Sequence, residues 1–274
     1  MRHGFALPIV LLLVLVAGIM VAVMMERQTA QAMIVRRELD SYTFHHVSQG
    51  VQEAVEAWLR KSGAGRAMAE NIKPDGHAFD LTLDDGQNVR ISFFDAQDKA
   101  LVELAGLSAQ AREAARLVLQ ELRARAGANA GALVRRDGPL PISVNSAPPD
   151  VLYSAINSVT EGDGTAQIVG EILHARGGQP LDGQMLNEIL NQSTLEPEAR
   201  NRLNMVITAT PTLWRVLAEA QTPAGLPGGI SARRYCGLVL LTNAVPGGSR
   251  DTRTALQRNS SIISWEDCSE QDRP

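Results

Sequence analysis

The chain has little of what most enzymes and disulfide scaffolds depend on. Its 274 residues include two cysteines and five histidines, and aromatics make up 4%. Two cysteines do not make a disulfide-stapled scaffold, and neither their spacing nor their neighbours suggests a metal site, so no metal is expected. There is no P-loop, no Gly-x-Ser-x-Gly elbow and no His-Glu-x-x-His helix. His45-His46 lacks a nearby carboxylate–cysteine cluster, and His77 and His174 are isolated in sequence. Neither an enzyme nor a cofactor is expected. Basic residues are not in excess: 26 Lys and Arg face 30 Asp and Glu, for a net charge of −4. That balance argues against nucleic acid as the main partner. The most telling absence is local. From Phe5 to Met25 there is no charged residue at all.

That run of about 21 residues is long enough to cross a bilayer as a helix. It follows only Met1-Arg2-His3-Gly4, and Glu26-Arg27 closes it. A secretory signal has a shorter apolar core with a small-residue cleavage site after it. Here Val21-Ala22-Val23-Met24-Met25 leads straight into a polar helical pattern, and the best processing site precedes the run, at Gly4-Phe5. Pro8 is tolerated because it falls in the first helical turn. Arg2 and the amino terminus give a mild vote for a cytoplasmic N-terminus, with the body on the other side of the membrane.

Beyond the run, Met33, Ile34, Leu39, Val47, Val51, Val55, Trp58 and Leu59 recur at helical spacings. A helix from Phe5 to about Arg60 would be roughly 84 Å long. Gly50 is the one place for an interruption before Gly63-Ala-Gly65 ends it. The chain as a whole is 45% apolar and 20% charged, as in folded proteins. Phe79–Leu83, an Asp-Gly turn and Val89–Phe94 read as a hairpin. Asp84, Asp85 and Asp95 are weak calcium candidates; without a full Asp-x-Asp-x-Asp-Gly loop, turn chemistry explains them more simply.

From about Asp98 to Arg202 the pattern is helical. Ser108 starts a helix, Gly127 ends it, and residues 127 to 132 read as an Ala/Gly linker. Next comes Ile142-Ser-Val-Asn145-Ser146-Ala147-Pro148-Pro149-Asp150-Val151-Leu152, in which Asn145 or Ser146 would cap a helix and the prolines would occupy its first turn. The connection around Gly162 and Gly164 and the helix from Thr165 to Arg176 complete a helix-hairpin-helix pattern. In nucleic-acid binders such hairpin amides hold a phosphate, but Glu161 and Asp163 here would repel one. Strand signals return in Met205–Thr210, Leu213–Ala218, Tyr235–Thr242, Thr252–Gln257 and Ser261–Trp265. Cys236 and Cys268 fall in this closing part. In an oxidising compartment a disulfide would close a loop of about 30 residues and contribute roughly 3 kcal/mol; the alternative is two buried thiols.

The short leader, the Gly4-Phe5 junction and the retained apolar helix resemble a type IV prepilin or a type II secretion prepseudopilin. The resemblance implies cleavage after Gly4 by the prepilin peptidase and N-methylation of Phe5. Most members carry Glu at the fifth mature residue, which is Ile9 here. The family member without that Glu is the K-type minor pseudopilin (the GspK family), at the filament tip, where no neighbour above would pair the carboxylate. The string from Asn145 to Leu152 is similar to that family's Asn-(Thr/Ser)-Ala-Pro-x-x-x-Leu segment. The order of stalk, hairpin, this segment, second helix and returning strands covers most of the chain.

The implied fold is α+β: a pilin-like transmembrane and amphipathic helix on an antiparallel sheet, with an inserted all-α domain of helix-hairpin-helix type. The implied boundaries are a leader at 1–4, a transmembrane helix at 5–25, stalk and first strands at 26–97, the insertion at 98–203 and the last strands at 204–274. The implied partners are the I- and J-type minor pseudopilins, the rest of the pseudopilus, the peptidase and the bacterial inner membrane. The globular part would lie in the periplasm beneath the outer-membrane secretin. The alternatives are a minor pilin of a type IV pilus, which would usually lack the insertion, a membrane-anchored helix-hairpin-helix DNA-binding protein, and a periplasmic protein on an uncleaved anchor.

Overall fold

In the computed structural model, helix α1 runs unbroken from Ala6 to Ser62. The described residues are 6–62, 72–73, 75–83, 86, 88–193, 195–221, 234–241 and 260–268. Side chains at 6–9, 40, 43, 44, 62, 221, 260 and 267 are outside the description. Gly50 does not interrupt α1. A helical glycine costs only about 1 kcal/mol relative to alanine, too little to break a helix with good formers on both sides.

The chain divides into two units, Met1–Gln52 and Glu53–Pro274. The first consists, as far as described, of α1 alone. It carries Val10–Leu39, a segment long and apolar enough to cross a membrane, with a mean hydropathy of 2.3 and none of it buried.

The second unit begins with the last turns of α1. Its main sheet contains β1 (His77–Thr82), β2 (Asn88–Asp95), β7 (Leu213–Gln221), β8 (Arg234–Leu241) and β9 (Ser260–Asp267), in the order β1-β2-β7-β8-β9. Every pairing is antiparallel. Alternation fixes which face is covered: on β8, Tyr235, Gly237, Val239 and Leu241 are buried and the residues between them are half-exposed. On β2, Val89, Ile91 and Phe93 form the matching row. Val55 and Leu59 of α1 are buried, and the Trp58 ring stacks on Phe93 at 4.8 Å and Phe79 at 5.5 Å between centroids. The end of α1 and the sheet therefore share one apolar layer.

Between β2 and β7 the chain runs through β3 (Ala100–Leu101), α2 (Ala109–Ala126), a 3-10 helix (Gly127–Leu133), β4 (Val134–Arg135), β5 (Ile142–Ser143), α3 (Pro149–Thr160), α4 (Thr165–Arg176), α5 (Gly183–Gln192), α6 (Pro197–Val206) and β6 (Ile207–Thr208). Ser108 caps α2, its hydroxyl accepting from Ala111 N. The buried faces of these helices meet in one cluster built on Leu122, Leu152, Ile156, Ile172, Leu190 and Leu203. Two parallel ladders accompany them: Ala100 and Leu101 pair with Val134 and Arg135, and Ile142 and Ser143 with Ile207 and Thr208.

Two expectations are corrected. Residues 127 to 132 are 3-10 helix, not linker. Met205 and Val206 are the last turn of α6, not strand, because Leu203 and Val206 at i and i+3 both enter the helical cluster. Of the strand expected at Met205–Thr210, only Ile207–Thr208 exists.

Candidate functional site

Two regions carry the residues singled out by sequence. The first is the start of α1. Gly4 and Phe5 lie outside the described residues, and Ile9 lies within α1 with its side chain outside them. From Val10 to Met25 large apolar side chains point outward on every side of the helix: Leu11, Leu12, Leu13, Val14 and Leu15 are each more than 60% exposed. No face is reserved for a protein core. This surface suits lipid or the flanks of other apolar helices. It continues past Arg27, with Met33, Ile34, Val35, Leu39 and Tyr42 all more than 50% exposed.

The second region is where the chain leaves the sheet after β2 and returns before β7. The Asn145–Pro148 segment lies here, and its role differs from the one its sequence suggests. Pro148, not Asn145 or Ser146, occupies the N-cap position of α3, with no side-chain cap. Asn145 Nδ2 donates to Leu181 O at 2.9 Å and Ala209 O at 3.0 Å, and its Oδ1 accepts from Leu181 N at 2.8 Å. One amide thus joins three separate stretches of chain. Ser146 Oγ donates to Asp95 Oδ2 at 2.7 Å. Arg176, in the last turn of α4, donates to Val144 O and Ala147 O at 2.9 and 2.7 Å. Burial lowers its pKa. Leu152 is fully buried in the helical cluster.

Sequence reasoning missed the two hubs of this junction. Gln97 is 1% exposed. Its Nε2 donates to Pro141 O at 2.8 Å, and its Oε1 accepts from Leu213 N at 2.9 Å and from Thr212 N. Its main chain accepts from Ser143 N at 2.8 Å. Arg135 donates to the carbonyls of Lys99, Asp137, Pro139 and Pro141. Burial pushes its pKa down to about 10, against the opposing pull of Asp98, Asp95 and Asp137. No spacing rule finds these residues, because their partners are backbone atoms as far as 116 residues away.

Asp95 sits in the same junction. Burial pushes its pKa up, and Asp98 adds to this; hydrogen bonds from the Ser146 hydroxyl and the Gln97 amide pull the other way. A carboxyl whose folded pKa exceeds the unfolded value of 3.8 contributes stability that is fully present below 3.8. That contribution is lost as pH rises through the folded value. Thermal melts between about pH 4 and 7 should therefore show the native chain losing stability relative to Asp95→Asn as pH rises. Parallel melting curves would contradict this.

The turn between α3 and α4 is closed on itself. Glu161, at φ 52°, donates its N–H to Asn157 O at 3.0 Å, and Asp163 N donates to Thr160 O at 3.1 Å. Gly162 and Gly164 take φ of 101° and 69°, where a side chain would be strained. Thr160 and Thr165 share a buried hydroxyl contact, Thr165 Oγ1 donates to Asn157 Oδ1, and Asn157 Nδ2 donates to Glu121 Oε2. Glu161, Asp163, Glu196 and Arg202 line the cleft beside this turn. The amides of Glu161 and Asp163 are already used and the rim is mostly carboxylate, so the turn is a poor seat for phosphate.

Asp84 and Asp85 lie outside the described residues, while Asp95 at the end of β2 is engaged with Ser146 and Gln97. No group of three metal-ligating side chains occurs among the described residues. His77 Nε2 lies 3.2 Å from Asp80, and His174 borders a surface cleft with Met185. Tyr42 and His46 rings meet at 4.2 Å on α1. Cys236 of β8 is disulfide-bonded to Cys268, just past β9, with Cα atoms 5.4 Å apart. The bond lies across two strands already paired by Cys268 N donating to Arg234 O at 3.1 Å.

The chain matches no model of a known protein family, and no curated protein matches it.

Proposed function

We propose that the chain is a K-type minor pseudopilin, a non-enzymatic structural subunit at the tip of a type II secretion pseudopilus. The observation that carries this reading is α1. A single helix begins with a segment apolar on all sides and ends with Val55, Trp58 and Leu59 in the core of an antiparallel sheet. A lipid-like first part and a sheet-bound last few turns on one helix suit a subunit that waits in the inner membrane and then moves into a filament.

In this reading the helices from α2 to α6 are a domain inserted into a pilin-like sheet. The Gln97–Arg135–Asn145 junction is the base that holds the insertion at its two crossings. A body of this bulk cannot repeat along a tightly packed fibre, which favours a place at the tip. An apolar Ile9 in place of a carboxylate suits a subunit with no neighbour above it. Cleavage at Gly4-Phe5 by the prepilin peptidase would release the helix for assembly with the I- and J-type subunits, and the body would face the periplasm.

Gene deletion in the host cell tests this. Export of secreted proteins into the medium should fall to background and return when the intact chain is supplied. Undiminished export after deletion would overturn the reading.

A further inference from the structure

We propose that the outward face of α2, with the cleft beside it, docks an acidic segment of a partner protein that inserts an aliphatic side chain. Arg112, Arg116 and Arg123 are all exposed. At 100° per residue they fall within about 40° of one another, so they form one ridge along the helix. The Arg123 guanidinium has no ion-pair or hydrogen-bond partner among the described residues; only its carbonyl is used, accepting from Gly127 N. Arg116 lies 3.6 Å from Glu113, but both side chains are 63% exposed, so that pair constrains Arg116 little. Arg112 uses one nitrogen on Leu107 O at 3.2 Å.

The ridge borders a cleft of about 470 Å³ lined by Val102, Leu104, Arg116, Leu119, Gln120 and Arg123. Its walls are aliphatic and its rim is guanidinium. Outside α1, the exposed large aliphatic side chains among the described residues are Val102, Leu117 and Ile263. Of these, Val102 lines the cleft, so aliphatic surface beside the ridge stays open to a partner's side chain.

Charge selects the occupant. Glu113 and Glu121 are the carboxylates nearest the ridge in sequence; Glu113 faces Arg116, Glu121 Oε2 accepts from Asn157 Nδ2 on the far side of α2, and Glu103 Oε1 accepts from Ala105 N. From residue 137 to 198, by contrast, Arg176 is the only Lys or Arg among many carboxylates. A long polyanion would meet that acidic stretch, whereas a short acidic segment can read the ridge alone. A concave aliphatic cleft also suits a Leu or Val side chain better than a flat lipid surface does. This inference does not depend on the export reading.

The test uses the full chain in nanodiscs of zwitterionic lipid. The probe is a fluorescein-labelled peptide, Glu-Asp-Leu-Glu-Glu-Leu-Asp-Glu, read by anisotropy. Saturable binding is expected, weakened about tenfold or more by the double substitution Arg116→Glu and Arg123→Glu and by raised salt. Val102→Ser should weaken it severalfold with the charge unchanged. Both arginines are exposed, so the fold is expected to survive; Arg123→Gln alone provides the same reading if the double variant does not fold. Absence of saturable binding would overturn the proposal, as would binding indifferent to these substitutions. Arg116/Arg123-dependent binding of phosphatidylglycerol vesicles without binding of the peptide would assign the face to lipid and equally overturn it.

Discussion

Gln97→Ala should destabilise the body of the protein by about 3–5 kcal/mol, the largest stability effect expected of a single substitution here. Gln97 is almost wholly buried and satisfies three backbone groups at once: Pro141 O, Thr212 N and Leu213 N. Each unpaired buried group costs about 1–3 kcal/mol, and water entering beside half-buried Thr212 recovers part of that. Gln97→Glu keeps the acceptor but turns a buried carboxylate oxygen toward Pro141 O, so it should not rescue. Trp214, whose Nε1 donates to Pro211 O at 3.2 Å, is a reporter next to the lesion. Denaturant unfolding of the full chain in detergent, followed by tryptophan fluorescence, measures the loss. A change below about 1 kcal/mol would mean that the junction is satisfied in some other way.

Gly4→Val should abolish function while leaving the fold intact. In the proposed reading the peptidase must bring its catalytic groups against the backbone at residue 4. A glycine allows that close approach and a β-branched side chain obstructs it. An uncut chain keeps Arg2 and His3 on the end of the helix. Moving Arg2 with the helix into an apolar filament core would cost about 2.5–3.5 kcal/mol or more, so the subunit stays anchored. Export should fall to the level of the gene deletion, with the uncut protein accumulating in membranes at normal abundance. Full export by a Gly4→Val protein that still begins at Met1 would separate function from maturation.

Elements whose signal is local were legible in the sequence. The uncharged run and its amphipathic continuation gave α1 nearly to the residue. Alternation and the Asp-Gly turn gave the β1–β2 pair, and Ser108 gave the start of α2. Signals misled where tertiary contacts override local preference. Asn145 and Ser146 have the chemistry of a helix cap, but Leu181, Ala209 and Asp95 bid for their side chains more strongly. Met205 and Val206 have strand-forming neighbours, but Val206 is drawn into the helical cluster with Leu203. Gln97 and Arg135 could not have been found. A polar side chain that serves distant carbonyls and amides leaves no period, motif or charge partner in the sequence.

The α2 ridge was visible only in part. Arg112, Arg116 and Arg123 are legible as a stripe, yet the cleft beside it needs Val102 and Leu104, which the β3–β4 pairing brings alongside α2. The two-residue ladders that set this geometry are too short for any pattern to announce.

The central claim is that α1 is a prepilin-type helix, cut before its apolar run. The most direct measurement is the N-terminal sequence and intact mass of the mature protein isolated from membranes of the host cell. The account predicts a chain beginning at Phe5 and carrying one added methyl group on its amine. A chain beginning at Met1 would contradict it and leave an ordinary anchored domain. A chain beginning after Met25 would contradict it as well, because the apolar helix would then be a discarded signal.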